Sequence, residues 1–266
     1  MKTPPEGALN RPANLGAPAI AVAAAFEACL ETFQSDEELA KIQRYFKSNE
    51  GEYGAGDRFM GVRMGQVFEV AKAFIDMLPS EIEVLLESPV HEVRAGACSV
   101  MDKQGRRDKT PESRRKELYE LYLRRHDRIN NWDLVDLAAP FVVGRYLFDK
   151  PRDVLYELAR STKIWERRTA VVATAYFIRR GEVHDTFGVA AALVADPEDL
   201  IQKAVGGWLR AAGGVDLAGL RVFLDQYAAT MPRTALRYAS EHLSGAEKAH
   251  YLGLKDKARS MAPPVQ

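Results

Sequence analysis

At residues 130–140 the chain reads Asn130-Asn131-Trp132-Asp133-Leu134-Val135-Asp136-Leu137-Ala138-Ala139-Pro140. Asparagine is a favourable N-cap, and Asp133 falls in the first turn, where a negative charge suits the helix dipole, so this stretch predicts a helix. Trp132 and Asp136 are four residues apart and would project from one face of that helix. An aromatic ring beside a carboxylate could hold a positively charged species. In the alternative interpretation, Trp132 is a core residue, as tryptophan usually is, and Asp136 is merely solvated.

On both sides of this helix, a basic residue followed by small residues recurs after short turns. The segments are Arg94-Ala95-Gly96-Ala97, Arg168-Thr169-Ala170-Val171, Lys203-Ala204-Val205-Gly206 and Arg237-Tyr238-Ala239. Their basic residues are separated by 74, 35 and 34 residues, and the midpoint of the long interval lies next to Trp132. Helix pairs that repeat at this interval indicate an α-solenoid. Because period-two alternation is almost absent, the sequence predicts an all-α fold.

This register predicts that Trp132 faces a concave groove, in one column with Arg94, Arg168, Lys203 and Arg237. Positive charge would then be concentrated along the groove. The alternative is that these basic residues form ion pairs inside the solenoid. A second basic segment, residues 103–128, carries ten basic and five acidic residues. It is compatible with phosphate contacts and equally with a solvated amphipathic helix.

Composition describes an ordinary soluble protein with 47% hydrophobic and 28% charged residues. The 37 basic residues balance the 37 acidic ones, so global charge gives no argument for nucleic acid. We expect a Pro- and Gly-containing disordered tail over 1–17, one solenoid domain over 18–254 and a frayed tail over 255–266. Within the domain, Ser35 or Asp36 should cap a helix that runs to Lys47, and a further helix should span 64–77.

Several classes of site are not expected. The five histidines lack ligand spacing and Cys-x-x-Cys is absent, so we predict no metal site. Neither a Gly-rich phosphate loop nor a Gly-x-Ser-x-Gly elbow occurs, and no cofactor is expected. The two cysteines, far apart, suggest reduced thiols in the cytoplasm. No apolar run is long enough to cross a membrane.

Four motifs together carry a family resemblance. They are Tyr45-Phe46-Lys47 with Gly54 and Gly56-Asp57-Arg58-Phe59-Met60-Gly61-Val62-Arg63, then Trp132-Asp133-x-x-Asp136, Trp165-Glu166-Arg167-Arg168, and Ile201-Gln202-Lys203-Ala204-Val205-Gly206. In order and spacing, over roughly residues 36–243, they resemble the AlkD-like DNA alkylation repair family. That family is built of HEAT-like helical repeats whose concave face holds duplex DNA. Its members are DNA glycosylases that remove positively charged N3- and N7-alkylpurines.

The resemblance implies roles for individual residues. Asp136 matches the catalytic carboxylate, Trp132 the first groove tryptophan, and Arg168 a groove arginine near the backbone of the lesion. The second groove tryptophan aligns with Gly207, and Trp208 follows one residue later, about 100° further around the helix. Either the helix is locally rotated to present Trp208, or Trp208 packs in the core. The groove column and the first motif add further candidate DNA contacts: Lys203, Arg237, Arg94 and Arg63.

The resemblance also implies a mechanism that the residue types can support. An alkylated purine already carries positive charge and can leave as a neutral base, so no general acid is required. Asp136 would stabilise the oxocarbenium-like sugar and orient or deprotonate water, while the face of Trp132 attracts the cation. We expect a monomer that acts on duplex DNA with alkylated purines, without metal or membrane. The rival is a non-catalytic helical-repeat module that binds DNA or protein.

Overall fold

A computed structural model describes residues 21–46 and 56–261 of the 266-residue chain, with side chains described as far as residue 255. Within this part the chain is helical throughout, and extended pairing is limited to one isolated bridge between Arg58 and Val90. The helices are α1 Ala23–Glu31, α2 Asp36–Tyr45, α3 Met64–Ala73, α4 Pro79–Glu87, α5 His91–Arg106, α6 Glu112–Arg124, α7 Trp132–Ala139, α8 Arg145–Leu147, α9 Asp153–Ala159, α10 Ile164–Ala173, α11 Ala175–Arg179, α12 His184–Ala192, α13 Asp199–Gly213, α14 Leu217–Tyr227, α15 Arg233–Ala239 and α16 Gly245–Met261. A π-helical segment, Pro140–Gly144, joins α7 to α8.

The helices pack as an α-solenoid with two layers. One layer, here called the inner layer, is a continuous series in which α3 contacts α5, α5 contacts α7, α7 contacts α10, α10 contacts α13 and α13 contacts α15. The other layer includes α1, α4 and α6 in one run and α9, α12 and α14 in a second. The all-α solenoid predicted from the sequence is therefore confirmed. The recurring segments all lie on helices of the inner layer.

Local signals set several helix boundaries. Ser35 caps α2 and accepts from the Glu38 amide, and Asn131 caps α7 by accepting from the Trp132 amide at 2.8 Å. Helix α3 ends at Ala73, earlier than predicted, and α16 continues to Met261, beyond the predicted end of the domain at residue 254. The tail predicted over 1–17 lies outside the described residues.

Small residues allow the inner helices to approach closely. An added Cβ at Gly206 of α13 would lie 2.5 Å from the carbonyl oxygen of Ala235 and 2.6 Å from the Cβ of Tyr238, both on α15. Only glycine fits between α13 and α15 at this position. The neighbouring Gly207 differs, because an added Cβ would meet nothing within 4 Å. Gly206 thus lies in the tight contact between α13 and α15, whereas Gly207 lines the cavity described below.

The structure corrects the predicted register by one helical turn. Arg168, Lys203 and Arg237 are each the fifth residue of their helices, α10, α13 and α15. The fifth residue of α7 is Asp136, and Trp132 is the first. Asp136, not Trp132, is therefore the structural equivalent of the basic residues. Sequence spacing misplaced the register because the turns that precede the inner helices differ in length.

Candidate functional site

A carboxylate and a guanidinium on neighbouring inner helices form the centre of the site. Arg168 donates from Nε to Asp136 Oδ1 and from Nη2 to Asp136 Oδ2, both at 2.8 Å. A third donation, from Nη1, goes to the Leu200 carbonyl at 2.7 Å. The Arg168 side chain is only 9% exposed, whereas that of Asp136 is 38% exposed. Arg168 therefore fixes the orientation of a carboxylate that remains open to solvent on its other side.

Trp208 shares a cavity with this ion pair. The cavity, about 360 Å³, lies along α7, α10, α13 and α15. Its lining residues are Asp136, Arg168, Lys203, Ala204, Gly207, Trp208, Arg210, Ala211 and Tyr238. Trp208 is half-buried and packs partly against the core. Trp208 thus contacts the core and also lines the cavity that contains Asp136.

Trp132 lines a different and more apolar cavity of about 460 Å³, between α2, α3 and α7. Its half-buried indole stacks against Phe46, with ring centroids 6.0 Å apart and planes 27° apart, and meets Tyr45 edge-on at 6.0 Å. Among the described residues, Trp132 and Asp136 therefore line adjacent cavities on one helix. Helix α2 closes one side of this cavity.

A buried charge network lies behind Trp132. His91, fully buried at the start of α5, contacts Asp133 Oδ2 through Nε2 at 2.8 Å and Asp57 Oδ2 through Nδ1 at 3.3 Å. Burial lowers the pKa of an imidazole, but hydrogen bonds and charge from Asp133 and Asp57 outweigh it and raise the pKa of His91 to about 9. His91 is therefore a buried cation at neutral pH. It ties the first turn of α7 to α5 and to the segment that precedes α3.

Arg94 belongs to this network and not to the groove surface. Its side chain is 2% exposed, and it donates to Asp57 Oδ1 at 2.5 Å and to the Ser88 carbonyl at 2.9 Å. The prediction that Arg94 is an exposed DNA contact is wrong, and the alternative of an ion pair inside the solenoid describes it. The physical reason is that Asp57, 37 residues earlier, supplies a buried partner that repeat spacing could not reveal.

Three further predicted DNA contacts, Lys203, Arg63 and Arg237, are solvent-exposed. Lys203 is 45% exposed and pairs with Asp199 at 2.6 Å, and Arg63 is 52% exposed and pairs with Glu38 at 2.7 Å. Arg237, in the last turn of α15, is also exposed. In the basic segment 103–128, by contrast, several arginines form ion pairs with acidic residues of the 76–87 region: Arg107 with Asp76, Arg124 with Glu83, and Arg125 with Glu87.

Sequence reasoning missed the residues that build the surroundings of Trp132. It assigned no role to His91, Phe46 or Phe68 beyond helix periodicity or a family motif. His91 begins α5, directly before the recurring basic segment, but a lone histidine at a helix start carries no signal of two carboxylate partners. Phe46 and Asp57 both appear in the first family-like motif, so membership of that motif was the usable indication.

Comparison with known proteins adds to this geometry. The family model of the DNA alkylation repair enzymes matches residues 26–243. The chain belongs to this family. The solved structure of a predicted DNA alkylation repair enzyme from Enterococcus faecalis is also similar, with a TM-score of 0.64 at 16% identity, covering 80% of this chain and 97% of that one. At this identity the likeness concerns the fold alone. Comparison with curated proteins finds no match.

Family membership supports a role in DNA alkylation repair. None of the described helices is long and apolar enough to cross a membrane. Within residues 21–46 and 56–261, no group of three or more His, Cys, Asp or Glu side chains is arranged to hold a metal ion.

Proposed function

We propose that this chain is a DNA glycosylase that hydrolyses the N-glycosidic bond of positively charged N3- and N7-alkylpurines in duplex DNA. The observation that carries the proposal is Asp136, a solvent-accessible carboxylate whose two oxygens are both held by Arg168 beside Trp208. Such preorganisation lets a carboxylate stabilise developing positive charge without the cost of reorienting at the moment of reaction.

The bond changes follow from the charge of the substrate. When the glycosidic bond breaks, its electron pair goes to the purine nitrogen and cancels the positive charge, so the base leaves neutral. The sugar acquires oxocarbenium character at C1′, next to the Asp136 carboxylate. Water adds to C1′ and gives its proton to Asp136 or to solvent. Each carboxylate oxygen keeps a lone pair that Arg168 does not use, so Asp136 can accept from that water.

The exposed basic residues are suited to hold the duplex. Lys203 and Arg237 occupy the same turn of consecutive inner helices, α13 and α15, next to the cavity that contains Asp136. Arg63 lies at the opposite end of the layer, as the N-cap of α3. We assign these three side chains to phosphate contacts, which position DNA without reading its sequence. Lys203 and its ion-pair partner Asp199 are both exposed, so exchanging this partner for phosphate costs little.

Arg168 takes a different role from the one that the family resemblance implied. Three of its five N–H groups are already engaged by Asp136 and Leu200, and its side chain is nearly buried. We therefore assign Arg168 to orienting Asp136 and not to gripping phosphate. The same ion pair favours the second candidate, a non-catalytic helical-repeat module, because a salt bridge gives Asp136 a structural reason to be present.

Asp136→Asn separates the two candidates. The variant keeps the shape of the side chain but removes the charge, so release of 7-methylguanine or 3-methyladenine from methylated duplex DNA should fall about 10²–10³-fold. DNA affinity should hold or rise slightly. Asp199→Asn is the matched control, since Asp199 is also an exposed, ion-paired carboxylate of the inner layer.

Three results would decide against the proposal. If wild-type protein releases no methylated base, the result favours the second candidate, a non-catalytic helical-repeat module. If Asp136→Asn excises at the wild-type rate, Asp136 is not the catalytic carboxylate. If Asp199→Asn loses as much activity as Asp136→Asn, the loss reflects a general charge effect on this layer and not catalysis at one site.

A further inference from the structure

We propose that the buried His91 is a positioning residue: it holds the indole of Trp132 in its place on α7 without itself touching a ligand. The inference rests on the proposed glycosylase function and extends it to Trp132, whose ring face can attract a cationic nucleotide. His91 is fully buried, so any effect of this histidine on the reaction must pass through the residues that it contacts.

His91 contacts Trp132's immediate neighbours on two sides. Its Nε2 lies 2.8 Å from Oδ2 of Asp133, the residue that follows Trp132 in the first turn of α7. Its ring also packs on Phe46, with centroids 4.6 Å apart. Phe46 in turn stacks on Trp132, with centroids 6.0 Å apart and planes 27° apart. One buried side chain therefore supports the indole through the backbone of α7 and through a stacked ring.

This support depends on the positive charge of His91. Its second ring nitrogen, Nδ1, lies 3.3 Å from Oδ2 of Asp57, so both nitrogens face carboxylates. A neutral imidazole has one N–H to donate, whereas an imidazolium has two. Burial lowers the pKa of His91, but the hydrogen bonds to Asp133 and Asp57 outweigh it and raise the pKa to about 9. The imidazolium thus satisfies both carboxylates at neutral pH.

The other charged side chains of α5 near His91 are already paired. Arg94 is 2% exposed and donates to Asp57 Oδ1 at 2.5 Å. Glu92 is fully buried and accepts from the Gly61 amide at 3.0 Å. The two carboxylates that contact His91 therefore face two cations. Loss of the His91 charge would leave one carboxylate charge in the interior without compensation, which is costly.

The consequence should fall on Trp132 and not on Asp136. The Asp133 side chain is 16% exposed, so it can turn towards water when His91 becomes neutral. That movement would loosen the first turn of α7, where Trp132 lies. Asp136, one turn further on, is held separately by two hydrogen bonds from Arg168 of α10. A neutral His91 should therefore displace the indole while the carboxylate keeps its orientation.

The first test needs no excision. The full chain, labelled with 5-fluorotryptophan at its three tryptophans, is titrated by ¹⁹F NMR from pH 7 to 10. The Trp132 resonance should move with a midpoint near 9, whereas the Trp165 resonance should stay in place. His91→Gln should abolish the transition. His126→Gln is the matched control, because His126 is also a buried histidine but burial lowers its pKa and leaves it uncharged.

The second test asks whether His91 acts through Trp132. In single-turnover assays at saturating enzyme, His91→Gln should slow release of 7-methylguanine from methylated duplex DNA about 2- to 30-fold, the equivalent of one lost cation–π contact. Affinity for unmodified duplex should stay unchanged. In a Trp132→Ala background, His91→Gln should cause no further loss of rate, because residues that act as one unit are not additive.

The outcomes separate this inference from the proposed function. A Trp132 resonance that does not titrate, or a His91→Gln loss of the same size with and without Trp132, would overturn the positioning role. If Trp132 titrates as expected but wild-type protein excises no base, the glycosylase proposal fails and the placement of Trp132 by His91 stands. Thermal melts identify unfolding, and if His91→Gln does not fold, the titration of the wild-type chain decides.

Discussion

Replacing Arg168 by methionine tests whether this arginine orients Asp136 or holds phosphate. Methionine keeps an unbranched side chain of similar length but removes the two hydrogen bonds to Asp136 and the one to the Leu200 carbonyl. If Arg168 positions the carboxylate, the excision rate should fall while the salt dependence of DNA affinity stays unchanged. This differs from the expectation that the family resemblance alone implied, namely the loss of one phosphate contact.

The magnitude follows from the burial of the two partners. Breaking a buried ion pair costs about 3–5 kcal/mol, but water can solvate the Asp136 carboxylate, 38% exposed, once Arg168 is gone. We therefore expect a stability loss of about 1–3 kcal/mol, discounted for that exposure. A carboxylate displaced by about 1 Å loses about 10²-fold in rate. Both effects should be measurable in a protein that remains folded.

The assay combines single-turnover excision at saturating enzyme with DNA affinity measured over a range of salt. Lys203→Met is the contrasting variant, because the 45% exposed Lys203 is assigned to phosphate and its loss should lower the salt slope by about 0.9. A salt slope that falls by the same amount in Arg168→Met, together with an unchanged excision rate, would refute the positioning role.

Two further predictions concern the fold around the site. Gly207→Ala should stabilise the protein by about 1 kcal/mol, because the added Cβ meets nothing and alanine favours helix, whereas Gly206→Ala should destabilise it by about 1–3 kcal/mol through overpacking against α15. Urea denaturation compares the two, and equal midpoints would contradict the packing. For His91, the folded-state pKa of about 9 exceeds the unfolded value of about 6.5, so its pairing stabilises the fold fully below pH 6.5 and is lost as pH rises through 9. Unfolding free energy should fall by about 3 kcal/mol across that window, and His91→Gln should flatten the curve; parallel curves for the two proteins would exclude the buried imidazolium.

Much of the local structure could be predicted because its causes lie close together in the chain. Ser35 and Asn131 each cap a helix through a hydrogen bond to an amide one to three residues away. The pairing of small with basic residues correctly marked helices of the inner layer. The all-α class followed from the absence of strand periodicity, because periodicity is a local property that can be judged in each segment independently. The separation of four residues between Trp132 and Asp136 likewise predicted two side chains one turn apart on α7.

The exposure of each candidate side chain could not be predicted, since it depends on partners that are distant in sequence. Arg94 and Arg168 carry the same charge as Lys203 and occupy equivalent helices. Arg94 forms a buried ion pair with Asp57, which lies 37 residues away in the sequence. Arg168 forms an ion pair with Asp136, which lies 32 residues away. Helical repeat spacing fixes which helices are neighbours but not which side chains find an opposite charge.

The sequence by itself determined the helices, their order in the solenoid and the residue types of the site, because capping, periodicity and small-residue contacts act within one turn or one repeat. Only the tertiary structure decided that Asp136 aligns with the basic residues, that His91 is a buried cation, and that α2 closes an aromatic cavity beside Trp132. These features arise where residues between 32 and 86 positions apart in the chain meet. Turn lengths and side-chain partners set that geometry, and neither is encoded in the period of the repeat.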